Sequence, residues 1–358
     1  MPTPNGAGDI PRYFEITADM LTSTARPAVS SDPAERTHIL DLAEQVLEQT
    51  VTWARAYPIM GRHTDQHSRM AFVALCSAYA DPDASVERIF HSSILRLSIF
   101  AFDDVMDGVF HDRDYPDLET FAEHCNAAWT GHRPSSPPPT RPEERNILAC
   151  HRDIASRVAD YPAHRWAHQH LATHWDRYCD ASLQESRWRL GLEPMPDIEQ
   201  FLATTTVCVA VGVLTSAELA MTELPQLDSA DLAACDKAAN LASIATRLYN
   251  DLRSIAREQL SGAHNTISRH IDAGATLGEA VLTVQTMGER ARDDLATAVA
   301  QLPEPLTDLG RSLLRRTQFA CDWYLSGEMH GFTGDDLKKL RALPGSSTRP
   351  NSSGLQDS

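Results

Sequence analysis

The sequence predicts an all-α protein, and three observations carry that expectation. Long stretches repeat apolar residues at i, i+3, i+4 and i+7, the spacing of a helix with one buried face. No stretch alternates apolar and polar residues as a half-buried strand would, and no hairpin signal or internal repeat appears. Pro- and Gly-bearing stretches, Thr130–Pro142 and Gly191–Pro196, interrupt the periodic ones as loops between helices. About ten helices without a sheet predict one helical domain over residues 36–340, flanked by a flexible segment at 1–35 and a disordered tail at 341–358.

Met1–Arg36 is rich in Pro, Ser, Thr and Ala, which suits a loose segment. Asp32-Pro33-Ala34 then reads as an N-cap with Pro in the first turn. His38–Ala54, Ser68–Ala80 and Ala84–Asp107 follow as helices. Thr130–Pro142 holds five prolines and reads as a loop. Glu143–Asp160 and Ala163–Trp188 resume helical spacing, and Gly191–Pro196 interrupts it. Ile198–Leu219 is apolar and β-branched; its length favours one buried helix over a strand. Asp228–Leu260, Thr276–Gln301 and Leu306–Glu328 complete the set.

Composition narrows function. A formal charge of −17, from 32 basic and 49 acidic residues, argues against a nucleic-acid partner. Seven cysteines without C-x-x-C spacing point to structural thiols in a reducing, cytoplasmic setting. The polar start at Met1–Ile10 is no signal peptide, and no apolar run is read as long enough to span a bilayer.

Two stretches carry chemistry. Phe100–Asp107 ends a long apolar helix with Asp103, Asp104 and Asp107. Asp103 and Asp107 share a helical face, at the end where the helix dipole disfavours negative charge. Either the helix ends in solvent there, or the acids hold a hard divalent cation, Mg2+ being suited to carboxylates and substrate phosphates together. On the later helix Asn250, Ser254 and Glu258 follow at i, i+4 and i+8 and form one stripe. It is either a wet outer face or a second oxygen-donor set for the same kind of ion.

Together the two stretches resemble the metal motifs of class I terpene synthases. Asp103-Asp104-Val105-Met106-Asp107 looks like the aspartate-rich motif, and Asn250–Glu258 looks like the motif N-D-x-x-S-x-x-x-E. Gln184–Arg189 before Gly191-Leu192-Glu193-Pro194, and Arg247-Leu248-Tyr249 before Asn250, are also similar to the family. The resemblance implies a helical bundle around a deep pocket. It implies three Mg2+ ions, with Asp103 as principal ligand, Asp107 as a second, and Asn250, Ser254 and Glu258 holding the remaining ion. Asp104 is either a further ligand or the partner of a basic neighbour. The implied substrate is a prenyl diphosphate, ionised to an allylic cation in a dry cavity. Phe72, Phe100, Tyr178, Tyr249, Trp323 and Tyr324 are candidates to face that cation, against the competing reading of core packing. Dimers are frequent in the family, so a homodimer is allowed.

Two departures bear on the substrate. Phe201-Leu202 is followed by Ala203-Thr204-Thr205-Thr206, without the Arg that many microbial members carry there. Trp323 is followed at the usual distance by Met329-His330, where many members have Arg-Tyr. Arg247 and Arg257 remain as expected anion contacts. These losses, and the small residues of Thr204–Gly212, favour a C20 substrate, bicyclic copalyl diphosphate first and geranylgeranyl diphosphate next. The alternatives are a sesquiterpene synthase acting on farnesyl diphosphate, a chain-elongating prenyltransferase and a non-catalytic helical binding protein.

Overall fold

A computed structural model describes residues 32–61, 64–109, 115–261 and 264–326. Residues 1–31 of the flexible segment expected over 1–35, the tail at 341–358 and Met329-His330 lie outside the described residues, and the expectation for 33–35 is corrected, since the first helix already includes them. Among the described residues every regular element is helical. The helices are α1 (Pro33–Ala54), α2 (Thr64–Ala80), α3 (Val86–Met106), α4 (Tyr115–Thr130), α5 (Pro142–Ala159) and α6 (His164–Arg189). Then come α7 (Ile198–Cys208), α8 (Val211–Ala220), α9 (Ser229–Ser261), α10 (Thr266–Asp272), α11 (Leu277–Ala300) and α12 (Thr307–Ser326).

The caps explain the first boundary. Asp32 accepts a hydrogen bond from the Ala34 amide at 2.9 Å, and Pro33 occupies the first turn, where its missing N–H costs nothing. Two helices escaped the periodicity reading, α4 and α10. The Pro-rich loop that follows α4 is tied back onto it: Ser135 and Ser136 donate to the Glu123 carboxylate.

Helix α3 is the axis of the molecule. Nearly every residue from Ile89 to Met106 is buried, on all faces, as expected of a helix surrounded by others. It packs on α1, α2, α5, α6 and α8. Its end is sharply made. Gly108 adopts φ 74°, its amide donates to the Val105 carbonyl at 3.1 Å, and the Val109 amide donates to the Asp104 carbonyl at 2.9 Å. This double closure is a Schellman motif, which needs a residue tolerant of positive φ at that point.

The expectation of a single helix over Ile198–Leu219 is corrected. The chain breaks at Ala210, which takes the left-handed conformation at φ 56°, so α7 ends at Cys208 and α8 begins at Val211. The length expectation is corrected too. Ile198–Ala220, 23 residues, is long and apolar enough by composition to cross a membrane. Its two halves instead pack on α6 and α9, so its apolarity serves the core.

Candidate active site

The C-terminal ends of α3 and α6, the α7–α8 break, the middle of α9 and the face of α12 enclose a cavity of about 300 Å³. Asp103 and Asp107 from α3 line it together with Asn250 and Glu258 from α9. The fold thus brings to one mouth two motifs that stand about 145 residues apart in the chain.

Each functional group is set by a neighbour. Asp103 accepts a hydrogen bond from the Tyr178 hydroxyl of α6. Its carboxyl is nevertheless raised well above the usual range, chiefly by burial, with Asp107, Asp104 and Glu185 adding repulsion. Asp107 stands at the solvent-accessible rim of the concave mouth. Withdrawal from bulk water there, with Glu185 facing it, raises its carboxyl to about 6. On α9 the Ser254 hydroxyl lies 3.3 Å from the Asn250 amide oxygen, and its proton goes to the Asn250 carbonyl at 2.8 Å. Asn265 donates to the Glu258 carboxylate at 2.7 Å, and the Glu258 carboxyl is raised by burial and by the charge of Asp251. Asp251 itself is fully buried and points elsewhere: it accepts from the Thr266 amide at 2.9 Å and lies 3.0 Å from Arg247 Nε.

Several expected site residues stand away from the mouth. Asp104 is corrected as a ligand. It turns from the mouth and holds Arg69 at two points, 2.5 and 3.0 Å. Arg69 in turn lies 5.6 Å from the centre of the Phe100 ring. Phe72, Phe100 and Tyr324 line the cavity. Tyr178, Tyr249 and Trp323 do not line it. Tyr178 is fully buried between Phe102 and Trp175 and reaches the site only through its hydroxyl. Tyr249 faces α11, against Gly288 and Arg292. Trp323 packs on Phe72 and Phe319. Arg247 lines the cavity, but it is already engaged by Glu185 at 3.5 Å, Asp251, and the His264 carbonyl at 3.0 Å. The Arg257 side chain lies outside the described residues.

The structure adds groups that the sequence reading did not assign. Ser182, Glu185 and Arg189 line the cavity from one face of α6, at i, i+3 and i+7, a spacing visible in the sequence. Arg189 also donates to the Met106 carbonyl at 2.5 Å, at the exposed end of α3. Arg96 and Arg316 line the opposite, deep end.

The donor set fits divalent cations. Carboxylates, an amide oxygen and a hydroxyl are hard donors, of the kind Mg2+ takes. Carboxyls raised by withdrawal from water, and further by one another, are what a site with too little positive charge looks like, and a bound cation would relieve them.

Comparison with known proteins agrees with this geometry. Residues 97–294 match the family model described as terpene synthase family 2, C-terminal metal binding. A curated relative, the chloroplastic ent-beyerene synthase of Oryza sativa subsp. japonica, is 26% identical over 178 residues, 48% of this chain. The match spans only 21% of that enzyme's length. Among solved structures, linalool/nerolidol synthase from Streptomyces clavuligerus superposes with a TM-score of 0.61 at 20% identity, over 84% of this chain and 96% of that one. The 2-methylisoborneol synthase of Streptomyces coelicolor A3(2) does so with a TM-score of 0.65 at 18% identity, over 81% and 94%. Germacradien-4-ol synthase from Streptomyces citricolor gives 0.57 at 19%, over 80% and 94%. These likenesses show a shared fold.

Proposed function

We propose, from the premise that this chain belongs to the terpene synthase family, that it is a Mg2+-dependent lyase turning a C20 prenyl diphosphate into a cyclic diterpene. One observation carries the reading: Asp103, Asp107, Asn250 and Glu258 converge on the mouth of one cavity whose walls also carry Phe72, Ile99, Phe100, Leu214 and Tyr324. Asp103, Asp107, Asn250, Ser254 and Glu258 would hold the ions, three in number. Bound there, divalent cations act as Lewis acids on the oxygens of the leaving diphosphate.

The chain's own residues do the rest. Tyr178 fixes the Asp103 carboxylate by its hydrogen bond, so that ligand is oriented before substrate arrives. Thr266 and Arg247 hold Asp251 rigid in the second motif, and through it the register of Asn250 and Glu258. Arg189 and Arg247 are the basic groups lining the mouth among the described residues, and they are the contacts we assign to the diphosphate. Phe72, Ile99, Phe100, Leu214 and Tyr324 exclude water from the chamber where the cation forms, and the aromatic faces stabilise it by roughly 0.5–2 kcal/mol each.

The C20 assignment is supported by the wall at the helix break, where Cys208, Val209 and Val211 are small. It is also supported by the plant relative, named for ent-beyerene. Among C20 substrates, bicyclic copalyl diphosphate comes first, since its rings locate it through apolar contact. A second reading, farnesyl diphosphate, is favoured by the modest cavity, which at about 300 Å³ stands at the low end for ligand pockets. The proposal includes a cytoplasmic setting, supported by seven free cysteines, and allows a homodimer.

The test is direct. Purified protein is incubated with Mg2+ and geranyl, farnesyl, geranylgeranyl or copalyl diphosphate, and the products are identified. A C20 substrate is expected to show the highest kcat/KM. Higher kcat/KM for farnesyl diphosphate would replace the C20 reading with the second one, and no product from any substrate would overturn both. In the same assay Asp103→Ala and Asn250→Ala are expected to lose at least about 100-fold in turnover while remaining folded.

A further inference from the structure

The deep end of the cavity is charged, which an apolar chamber for a cation does not require. Arg96 of α3 and Arg316 of α12 both line it, and each is about 95% buried. Between them lies one carboxylate, Glu218 of α8. Arg96 Nη2 donates to Glu218 Oε1 at 2.7 Å, and Arg316 Nη1 donates to Oε2. Ser77 accepts from Arg96 Nε at 3.2 Å, and Thr215 accepts from Arg316 Nη2 at 2.8 Å. Ser92 donates to Glu218 Oε1 at 3.2 Å. Two guanidinium groups thus share one carboxylate, and the cluster keeps an excess of one positive charge. Arg316 Nε finds no acceptor among the described residues.

Position gives this cluster a consequence. Arg96 stands seven residues before Asp103 on the same helix, about 10 Å along its axis. The cavity therefore runs from an acidic mouth to a cationic far end. Fixed charge in a buried site is weakly screened, so a migrating carbocation meets repulsion as it moves inward. Glu218 does not line this cavity; it lines a second one behind the cluster, with Ser77, Ser92 and Arg88. The arginines, and not their counter-charge, therefore face the reacting chain.

We propose that Arg96, Glu218 and Arg316 form a specificity-determining cluster that excludes positive charge from the deep end of the cavity. Cyclisation and the final loss of charge are thereby confined to its mouth half. The inference rests on the terpene synthase reading above.

The test uses full-length protein, Mg2+ and geranyl, farnesyl, geranylgeranyl and copalyl diphosphates, with products resolved by gas chromatography and mass spectrometry. The variant R96M/E218L/R316M removes the cluster whole, so that no buried charge is left unpaired. It is expected to change the ratio of products at least tenfold, toward those whose last cationic carbon lies far from the former diphosphate carbon. Glu218→Gln, close in shape, raises the excess charge from one to two. It is expected to shift the ratio the other way, toward early quenching, and it keeps the question open to refutation should the triple variant not fold. Product ratios unchanged in a folded triple variant, or in Glu218→Gln, would overturn the inference while wild-type turnover still upheld the family reading. Wild-type protein that releases diphosphate from none of the four substrates would overturn both.

Discussion

Asp103 and Asp104 are neighbours in sequence with opposite duties. Asp104 is buried against Arg69 in a two-point ion pair, and removing one partner of such a pair leaves a buried charge alone. Asp104→Asn is therefore expected to lower stability, by up to about 3–5 kcal/mol. Asp103 sits among Asp107, Asp104 and Glu185 with no cation from the chain paired to it among the contacts described, and burial raises its carboxyl. Asp103→Asn is expected to stabilise the metal-free fold at neutral pH. Urea denaturation of both variants in chelator would check the pair of signs; a shift in the same direction for both would refute the division of roles. The sequence left Asp104 open between ligand and partner of a basic neighbour, and that neighbour could not be named because Arg69 lies 35 residues away. The aromatic candidates divide between core and cavity for a related reason. Helical spacing separates apolar faces from polar ones, but a face turned to a core and a face turned to a cavity are equally apolar. Tyr249 and Trp323 thus looked like Phe100 and Tyr324. Arg96 was visible as a lone charge in Ile94-Leu95-Arg96-Leu97, yet its partner Glu218 lies 122 residues on.

At the scale of elements, the break between α7 and α8 was the feature least legible in the sequence. Thr204–Val211 has neither Pro nor Gly to mark it, and the left-handed residue is an alanine. A Cβ in that conformation costs roughly 1–2 kcal/mol. Ala210→Gly relieves it at the cost of a more flexible unfolded chain, so we expect a gain of at most about 1 kcal/mol in thermal unfolding. Two residues on, Gly212 has no such latitude. A Cβ there would lie 2.6 Å from His174 Nδ1. His174 cannot retreat, because its Nε2, like that of His170, lies 2.9 Å from Asp236 Oδ1 on α9. This knot ties α6, α8 and α9 together just behind the site. Gly212→Ala is expected to destabilise by about 1–3 kcal/mol, and an unchanged melting temperature would show that the knot yields. Asp236 adds a pH dependence of its own. Its two histidine partners hold its carboxyl below the usual range although burial opposes them. A depressed carboxyl stabilises the fold above its unfolded value, near 4, and that contribution is lost as pH falls through the folded one.

For the whole molecule, the acidic mouth ties metal binding to folding. Long periodic helices, the absence of strands and both metal motifs could be read from the chain, because each is a local pattern. The cavity between them could not, because it depends on how α3, α6, α9 and α12 meet. Once assembled, it carries Asp103, Asp107 and Glu258 with carboxyls raised above their unfolded values, that of Asp107 to about 6. A raised carboxyl means that the folded state binds more protons than the unfolded one between the two values. Stability of the metal-free protein from these groups is therefore full below about pH 4 and declines as pH rises toward and past 6. On the proposed reading a divalent cation would take the place of those protons and would bind the folded state only, since the unfolded chain does not bring the two motifs together. The stabilisation by Mg2+ with inorganic diphosphate should then be small at pH 5 and grow steadily to pH 8. Thermal unfolding at four pH values, with and without the pair of ligands, measures this directly. Asp103→Asn/Asp107→Asn should flatten both the metal-free decline and the ligand-induced gain. A gain that is equal at pH 5 and pH 8 in the wild type would mean that cations do not replace protons on these carboxylates, and would separate the acidic mouth from metal binding.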